Sequence, residues 1–314
     1  MNEPKTAVVT GGAGFIGSHL VDALLLKGYR VFAIDNLVTG NERNLDGASK
    51  NPNFNFIRYD VTQDLPVVGR IDYLYHLASP ASVPDYQKYA EETALVNSVG
   101  TRTMLRVAKA HSAKFLFTST SEVYGDPKEH PQKETYWGNV NPNGLRACYD
   151  ESKRFGEMIT VLYARNHGID ARIARIFNTY GPRMRPTDGR VVSNFITQAL
   201  SGKSLTVYGE GSQTRSFCFV RDMVSGLIKL METEGARGEV VNLGNPEEYT
   251  MIDLAQKILT MTGSASEIVH TELPVDDPIK RRPDVGKAAS LLGWKPEVSV
   301  DKGLKETISY YRSL

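Results

Sequence analysis

Lys5-Thr6-Ala7-Val8-Val9-Thr10-Gly11-Gly12-Ala13-Gly14-Phe15-Ile16-Gly17 begins as a short β-branched run, turns on its glycines, and continues as apolar residues at helical spacing as far as Lys27. The pattern predicts strand, turn and helix. The next apolar run, 30–34, ends at Asp35, roughly twenty residues beyond the turn, which is the context that makes a glycine run a dinucleotide signal. Gly11 permits the tight turn, Gly14 lets the backbone approach a pyrophosphate, and Gly17 allows close helix packing. The helix N-terminus, with Phe15 and Ile16 in it, offers unpaired N–H groups to phosphates. Asp35 is expected to bind the adenosine ribose hydroxyls. A carboxylate there repels a 2′-phosphate, and Asn36-Leu37 supplies no cation, so NAD is expected over NADP; Arg43 is the one dissenting residue.

Strand-like runs recur at 54–59, 72–76, 114–118 and 171–176, with helical stretches at 89–111 and 149–167. Such alternation predicts an α/β fold, a Rossmann-type doubly wound parallel sheet with helices on both faces. Ligands of these sheets bind beyond the carboxyl ends of the strands. Asp60-Val61, Leu77-Ala78-Ser79 and Ser119-Thr120-Ser121-Glu122 fall at predicted strand ends and are expected to line one crevice. Asn97, within 89–111, is grouped with the cofactor-binding candidates. After Asn178 the texture changes to more Gly, Pro and Arg in short elements that cannot extend the sheet regularly. The expected organisation is a dinucleotide-binding domain over 1–177, rejoined by 216–245, and a smaller C-terminal substrate-binding lobe from 178–215 and 246–314. The last part reads as small helices around a basic turn at 280–284.

Tyr149-Asp150-Glu151-Ser152-Lys153 puts a phenol and an ammonium four residues apart, on one helix face. An ammonium beside a phenol favours the phenolate and lowers its pKa from about 10, giving a general base usable near neutral pH. Tyr-x-x-x-Lys alone arises by chance in many helices; joined to a dinucleotide turn it points to hydride chemistry. A hydroxyl of Thr120 or Ser121 is placed to hold a substrate oxygen while Tyr149 removes its proton. Glu122 implies more. A carboxylate beside a hydride-accepting site has an electrostatic cost and simple alcohol oxidation does not need it, so it suggests a second proton transfer at a neighbouring carbon. Arg183, Arg185, Arg190, Arg215, Arg281 and Arg282 cluster in the loop-rich part. Arginine grips phosphate or carboxylate in bidentate fashion, and with Tyr208 available to contact a base, a nucleotide-sugar would satisfy the set.

Bulk properties exclude other classes. Lys and Arg total 37 against 36 Asp and Glu, a net charge of +1 that gives no field for nucleic acid or a membrane. Two cysteines, Cys148 and Cys218, form no disulfide pattern and fit a reducing compartment, so a cytoplasmic location is expected. No signal peptide or transmembrane helix is visible. The histidines are scattered without H-x-x-x-H or paired cysteines, so no metal site is predicted.

Together these motifs resemble the extended short-chain dehydrogenase/reductase superfamily of nucleotide-sugar enzymes. More closely, Leu77-Ala78-Ser79-Pro80-Ala81-Ser82, the run from Ser119 to Pro127, Arg146-Ala147-Cys148-Tyr149-Asp150-Glu151, Gly181-Pro182-Arg183-Met184, the run from Asp188 to Phe195, and Asn242-Leu243-Gly244-Asn245-Pro246-Glu247-Glu248 look like those of the UDP-glucuronate decarboxylases, or UDP-xylose synthases. The likeness extends from about Lys5 to Tyr311.

The resemblance implies Tyr149 as base with Lys153 as its partner, Thr120 or Ser121 on the substrate hydroxyl, Glu122 near C5, and Arg281 acting on the carboxylate or in proton delivery. Asn178, Arg190, Tyr208 and Arg215 match positions that hold the nucleotide diphosphate, and Arg183, Arg185, Val192 and Gln213 are grouped with them as substrate-binding candidates. Membrane-anchored relatives carry an N-terminal transmembrane segment that is absent here, which implies a soluble form. A homodimer through the helices beginning near Tyr89 and Tyr149 is also implied. In the implied reaction, oxidation of UDP-glucuronate at C4 by NAD makes a ketone β to the carboxylate. CO2 is then lost, C5 is reprotonated, and the retained NADH reduces C4. The rivals are a UDP-glucuronate 4-epimerase, a 4,6-dehydratase, release of the 4-keto pentose, and a non-catalytic dinucleotide sensor, which the joint presence of Tyr149, Lys153 and Glu122 opposes.

Overall fold

A computed structural model describes residues 3–64, 69–272 and 280–314. Seven strands, β1 (Thr6–Thr10), β2 (Arg30–Asp35), β3 (Phe54–Arg58), β4 (Tyr73–His76), β5 (Lys114–Thr120), β6 (Ala171–Ile176) and β7 (Val240–Leu243), make one parallel sheet in the order β7-β6-β5-β4-β1-β2-β3. The principal helices are α1 (Phe15–Leu26), α2 (Thr101–His111), α3 (Ala147–His167), α4 (Val191–Leu200) and α5 (Val220–Glu232).

Successive strand residues point to opposite faces, and both faces are covered. Ala7 and Val9 pack with Leu20 and Leu24 of α1 and with Met223 and Leu227 of α5. Val8 turns the other way, toward Met104 and Leu105 of α2 and Ile159 of α3, with Phe115 and Phe117 of β5. Two-sided burial is why these strands are continuous apolar runs. Each fully buried side chain such as Leu24 or Phe117 contributes on the order of 1.5–3 kcal/mol.

The strand order reverses between β1 and β4, and their carboxyl ends open a crevice there. Its floor is tight. Gly11 has φ +68, and a Cβ on it would lie 2.9 Å from the Ala78 nitrogen, so the turn after β1 can approach the turn after β4 only with glycine. A Cβ on Gly17 would stand 2.0 Å from the Gly11 carbonyl oxygen, so the first turn of α1 sits directly on the glycine loop. Thr10 joins the two strands. Its Oγ1 accepts from the Leu77 and Ala78 N–H groups, both at 3.2 Å, and therefore donates its own proton to His76 Nδ1 at 2.7 Å.

Two sequence expectations need correction. The stretch 89–111 is not one helix but Ala90–Leu95, a π-turn at Val96–Gly100, and then α2. The π-turn carries Asn97, whose amide donates to Ser152 of α3 at 3.1 Å, so a tertiary hydrogen bond overrides the helical register. The basic stretch at 280–284 is not only a turn: Lys280–Arg281 is a short strand parallel to Thr214–Ser216, which pairs on its other side with Glu248–Thr250. Arg281 is thereby in register with Arg215. The rest of this region contains Leu205–Tyr208 paired with Ile268–Thr271, and helices Met251–Thr262, Gly286–Leu292 and Val300–Arg312. Residues 273–279 of the expected lobe lie outside the described residues.

Gly17→Ala should destabilise the fold by roughly 1–3 kcal/mol through overpacking. A thermal melt followed by circular dichroism should show a lowered midpoint, and an unchanged one would contradict the close approach of α1 to the glycine loop.

Candidate active site

A cavity of about 760 Å³ runs over the carboxyl ends of the strands, lined by residues from Gly11 to Arg281. Its cofactor-side wall includes Gly11, Gly14, Phe15, Ile16, Gly17, Asp35, Asn36, Asp60, Val61, Leu77, Ala78 and Ser79. Thr120, Ser121, Glu122, Tyr149, Lys153 and Arg281 line it too, as do Asn178, Arg183, Arg185, Arg190, Val192, Tyr208, Gln213 and Arg215. Asn97 does not. It is fully buried behind the wall, holding Ser152, and so supports the helix that carries Tyr149. Arg43 is exposed and is not part of the cavity lining, whereas Asn44 reaches the cavity and donates to the Ala13 carbonyl at 2.9 Å. Arg282 also lies off the cavity, 3.5 Å from Glu248.

Asp35 is buried at the end of β2. Its carboxylate accepts from the Ala13 N–H at 3.0 Å and the Leu37 N–H at 2.8 Å, tying the glycine turn to the following loop. Burial raises its pKa against these backbone donors. A carboxylate has about four acceptor positions, so capacity remains toward the cavity. Gly14 caps α1 with no side chain in the way, and the first N–H groups of the helix have no intrahelical acceptor. Glycine at the cap, donors facing the cavity and a carboxylate at the next strand fit a dinucleotide.

Tyr149 and Lys153 are both buried on α3, and here the sequence expectation fails in part. Lys153 Nζ donates to the Thr118 carbonyl at 2.9 Å and lies 5.7 Å from the centre of the Tyr149 ring. Burial brings its pKa down to about 7, with Glu157 opposing. The Tyr149 phenol is pushed above its usual range, not below it. Burial is the largest cause; the hydrogen bond with Thr120 and the Arg190 charge pull downward, while Glu122 and Asp150 add to the rise. Desolvation of both partners outweighs what an i, i+4 ammonium offers in water.

Glu122 lies in the short 3₁₀ turn Ser121–Tyr124 just after β5, and the Thr120 side chain caps that turn by accepting the Glu122 N–H at 3.2 Å. One carboxylate oxygen accepts from Arg146 at 2.5 Å and the other from Arg281. Burial alone would raise the Glu122 pKa, but Arg281 and Arg146 outweigh it and hold the carboxyl at about 2. Glu122 is therefore held as the anion near neutral pH and is not a proton donor there.

Several participants carried little sequence signal. Tyr86 stacks on Tyr149 with ring centres 5.0 Å apart and planes 7° from parallel, although the two are far apart in the chain. Arg146 belongs to the quoted motif, one helical turn before Tyr149, and that spacing could have revealed it. Asp150 is buried beside Glu122, and burial and Glu122 raise it to about 7 against Arg146 and Arg281. His76 is fully buried; burial and the Lys153 charge hold it near 3, so it is neutral.

Comparisons with known proteins agree with this geometry. Residues 7–244 match the NAD dependent epimerase/dehydratase family, and the chain belongs to it. Within that class its relatives are more specific. It is 50% identical over 307 residues to UDP-glucuronic acid decarboxylase 1 of Danio rerio, covering 98% of this chain and 72% of the relative. It is 53% identical over 298 residues to UDP-glucuronic acid decarboxylase 6 of Arabidopsis thaliana, covering 95% and 86%. Among solved structures, UDP-glucuronic acid 4-epimerase of Bacillus cereus, in complex with UDP-glucuronic acid and NAD, superposes with a TM-score of 0.87 at 31% identity, covering 98% of this chain and 99% of that one. No helix among the described residues is long and apolar enough to cross a membrane.

Glu122 titrates at about 2 in the fold against about 4.5 unfolded, so the stability its arginines confer is complete above about pH 4.5 and is lost as pH falls toward 2. Glu122→Gln takes the anion from the buried Arg281 guanidinium and one of the partners of Arg146, and should cost roughly 3–5 kcal/mol at pH 7, with a flatter acid dependence below 4.5. Urea unfolding at pH 7 and pH 3 checks both; equal midpoints for variant and parent at pH 7 would remove the stabilising role.

Proposed function

We propose that this chain, using NAD, converts UDP-glucuronate to UDP-xylose through a UDP-4-keto sugar. The sequence relationship to UDP-glucuronic acid decarboxylases over nearly the whole chain supports this, and one observation carries it chemically. An ionised carboxylate, Glu122, is clasped by Arg146 and Arg281 in the same cavity as the buried Tyr149. Alcohol oxidation alone has no use for that group.

The Gly11–Gly17 turn and Asp35 would hold NAD, which supplies a hydride acceptor for C4 and later returns the hydride. Tyr149 takes the C4 hydroxyl proton as the phenolate, a form that the Thr120 hydrogen bond and the Arg190 charge favour against burial, with Thr120 within the same wall. The resulting ketone lies β to the carboxylate, so the electrons released with CO2 are accommodated on the C4 oxygen, where the Tyr149 hydroxyl and Thr120 donate. Arg281 orients the carboxylate before it leaves. Glu122, anionic and doubly paired, does not donate the C5 proton; a water held against Glu122 and Arg281 delivers it and regains a proton from solvent. Tyr149 then returns its proton as C4 is reduced. Asn178, Arg183, Arg190, Val192, Tyr208, Gln213 and Arg215 line the side of the cavity assigned to the nucleotide diphosphate, and we assign 178–215 with 246–314 as the lobe that carries it.

An epimerase must keep the carboxylate. The solved UDP-glucuronic acid 4-epimerase shares 31% identity with this chain, against 50% for the decarboxylase of Danio rerio, and the decarboxylase reading is favoured on that difference.

A homodimer is also part of this reading. Leu95, Val99, Phe155, Met158 and Leu162 are large apolar side chains left 39–45% exposed on the helices near the start of α2 and on α3. At helical spacing along each element, they are suited to a second copy of the chain. Light scattering should give twice the 34.8 kDa chain mass; a monomer at working concentration would dismiss the dimer. A cytoplasmic location is supported by the unpaired Cys148 and Cys218.

Incubation of the purified protein with UDP-glucuronate and NAD, followed by mass spectrometry and proton NMR, tests the reaction. Loss of CO2 to a UDP-pentose without NADH accumulation is expected. NADH accumulation would mean escape of the keto sugar, and an unchanged mass with inverted C4 would make the chain an epimerase. Tyr149→Phe should lower turnover by at least about 10²-fold with the circular dichroism spectrum intact; near-parental activity would overturn the role of Tyr149.

A further inference from the structure

Asp85 and Arg185 stand 100 residues apart in the chain, yet their side chains form an ion pair at the rim of the cavity, Asp85 from the short helix Val83–Lys88 and Arg185 from the loop before α4. Both residues line the cavity. Arg185 was expected to hold substrate, but its guanidinium is engaged with Asp85. The pair is built in rather than casual. The Asp85 side chain is only 16% exposed, and the same carboxylate oxygen also accepts from the Ser82 hydroxyl at 2.6 Å. The two segments also touch through their backbones, since a Cβ on Gly189 would stand 2.6 Å from the Pro84 ring.

Each end of the pair continues to Tyr149. Asp85 is followed by Tyr86, whose ring stacks on the Tyr149 ring. Arg185 holds the loop through its carbonyl, which accepts from the Asp188 N–H at 3.0 Å, and Asp188 fixes Arg190 by a two-pronged bridge at 2.5 and 2.9 Å. The Arg190 charge acts on the Tyr149 phenol. Tyr149 thus has a stacked ring and, in the same cavity wall, a guanidinium, carried on two separate segments, and the Asp85–Arg185 pair is a side-chain bridge between them.

We propose that Asp85 and Arg185 are positioning residues for the proton transfer, holding Tyr86 against Tyr149 and Arg190 in the wall beside it. The inference rests on the reaction proposed above. The groups that face the phenol are Thr120 and Glu122 from the turn after β5, Asp150 and Lys153 from α3, Tyr86 from Val83–Lys88, and Arg190 from the N-cap of α4. Of the charged members, Arg190 alone is held through the loop that Arg185 anchors. Loosening the pair moves a cation away from the phenol, leaves Glu122 and Asp150 in place, and so disfavours the phenolate.

The test is the pH profile of kcat/KM for UDP-glucuronate in the NAD-loaded protein. Asp85→Asn and Arg185→Gln should each move the acidic limb to higher pH by roughly one unit, with kcat at pH 7 lowered several-fold and bound NAD unchanged. Arg185→Lys keeps the charge and should return the limb most of the way. Profiles of both neutral variants that superpose on the parent would overturn the proposal. So would a loss of rate with no shift, or one that Arg185→Lys fails to restore, since either means that the pair is only structural. If Asp85→Asn does not fold, Arg185→Gln carries the test. A parent protein that does not consume UDP-glucuronate overturns the proposed reaction and this inference with it, whereas unshifted limbs in active variants overturn this inference alone.

Discussion

The Glu122 carboxylate between Arg146 and Arg281 is the contact on which the site depends. Taking three charged groups out of water is costly, and the cost is offset only when each charge meets its counterpart with good geometry. That requirement fixes three pieces of chain against one another: the turn after β5, the N-terminus of α3, and the short strand Lys280–Arg281. Thr120 precedes Glu122, Tyr149 follows Arg146 by three residues, and Arg215 is the register partner of Arg281. The Thr120 hydroxyl, the Tyr149 phenol and Arg215 are therefore all placed in the cavity wall by one cluster of charges.

Burial also sets the character of the two groups that resemble a base and its helper. In water an ammonium one turn from a phenol would lower the phenol. Inside this wall the ammonium is itself largely desolvated and leans on the Thr118 carbonyl, while two carboxylates face the phenol. The charge that favours the phenolate comes from Arg190, outside the Tyr-x-x-x-Lys pair. Reading the pair as a self-contained device misses that its tuning comes from other elements.

The fold was largely legible. Recurring apolar and β-branched runs, with helical stretches after the first, fourth and fifth of them, leave few topologies, and the parallel sheet with helices on both faces is among them. The glycine turn was legible for a steric reason, because no Cβ fits at Gly11 or Gly17. The π-turn at Val96–Gly100 was not, since a local pattern cannot show that Asn97 will be drawn to Ser152. Nor could Lys280–Arg281 be read as a strand, because its partner, Thr214–Ser216, is remote in sequence and two residues are too few for a period. In the site, the residues on motifs were recoverable, whereas Tyr86 and Asp85 act through packing and pairing across segments, which composition and spacing do not record.

The placement of Arg281 has a consequence for how the protein is made. Chains emerge from the ribosome N-terminus first, so the sheet through β6, the glycine turn and Tyr149 are all available while roughly the last third of the chain is still unmade. At that stage Glu122 has Arg146 but not Arg281, and its second oxygen lacks the partner that justifies its burial. Closing the catalytic wall must wait for the strand Lys280–Arg281 to seat beside Thr214–Ser216. Synthesis order thus acts as a safeguard: a truncated product can assemble much of the dinucleotide half, yet it lacks the cation that completes the Glu122 cluster in the cavity wall.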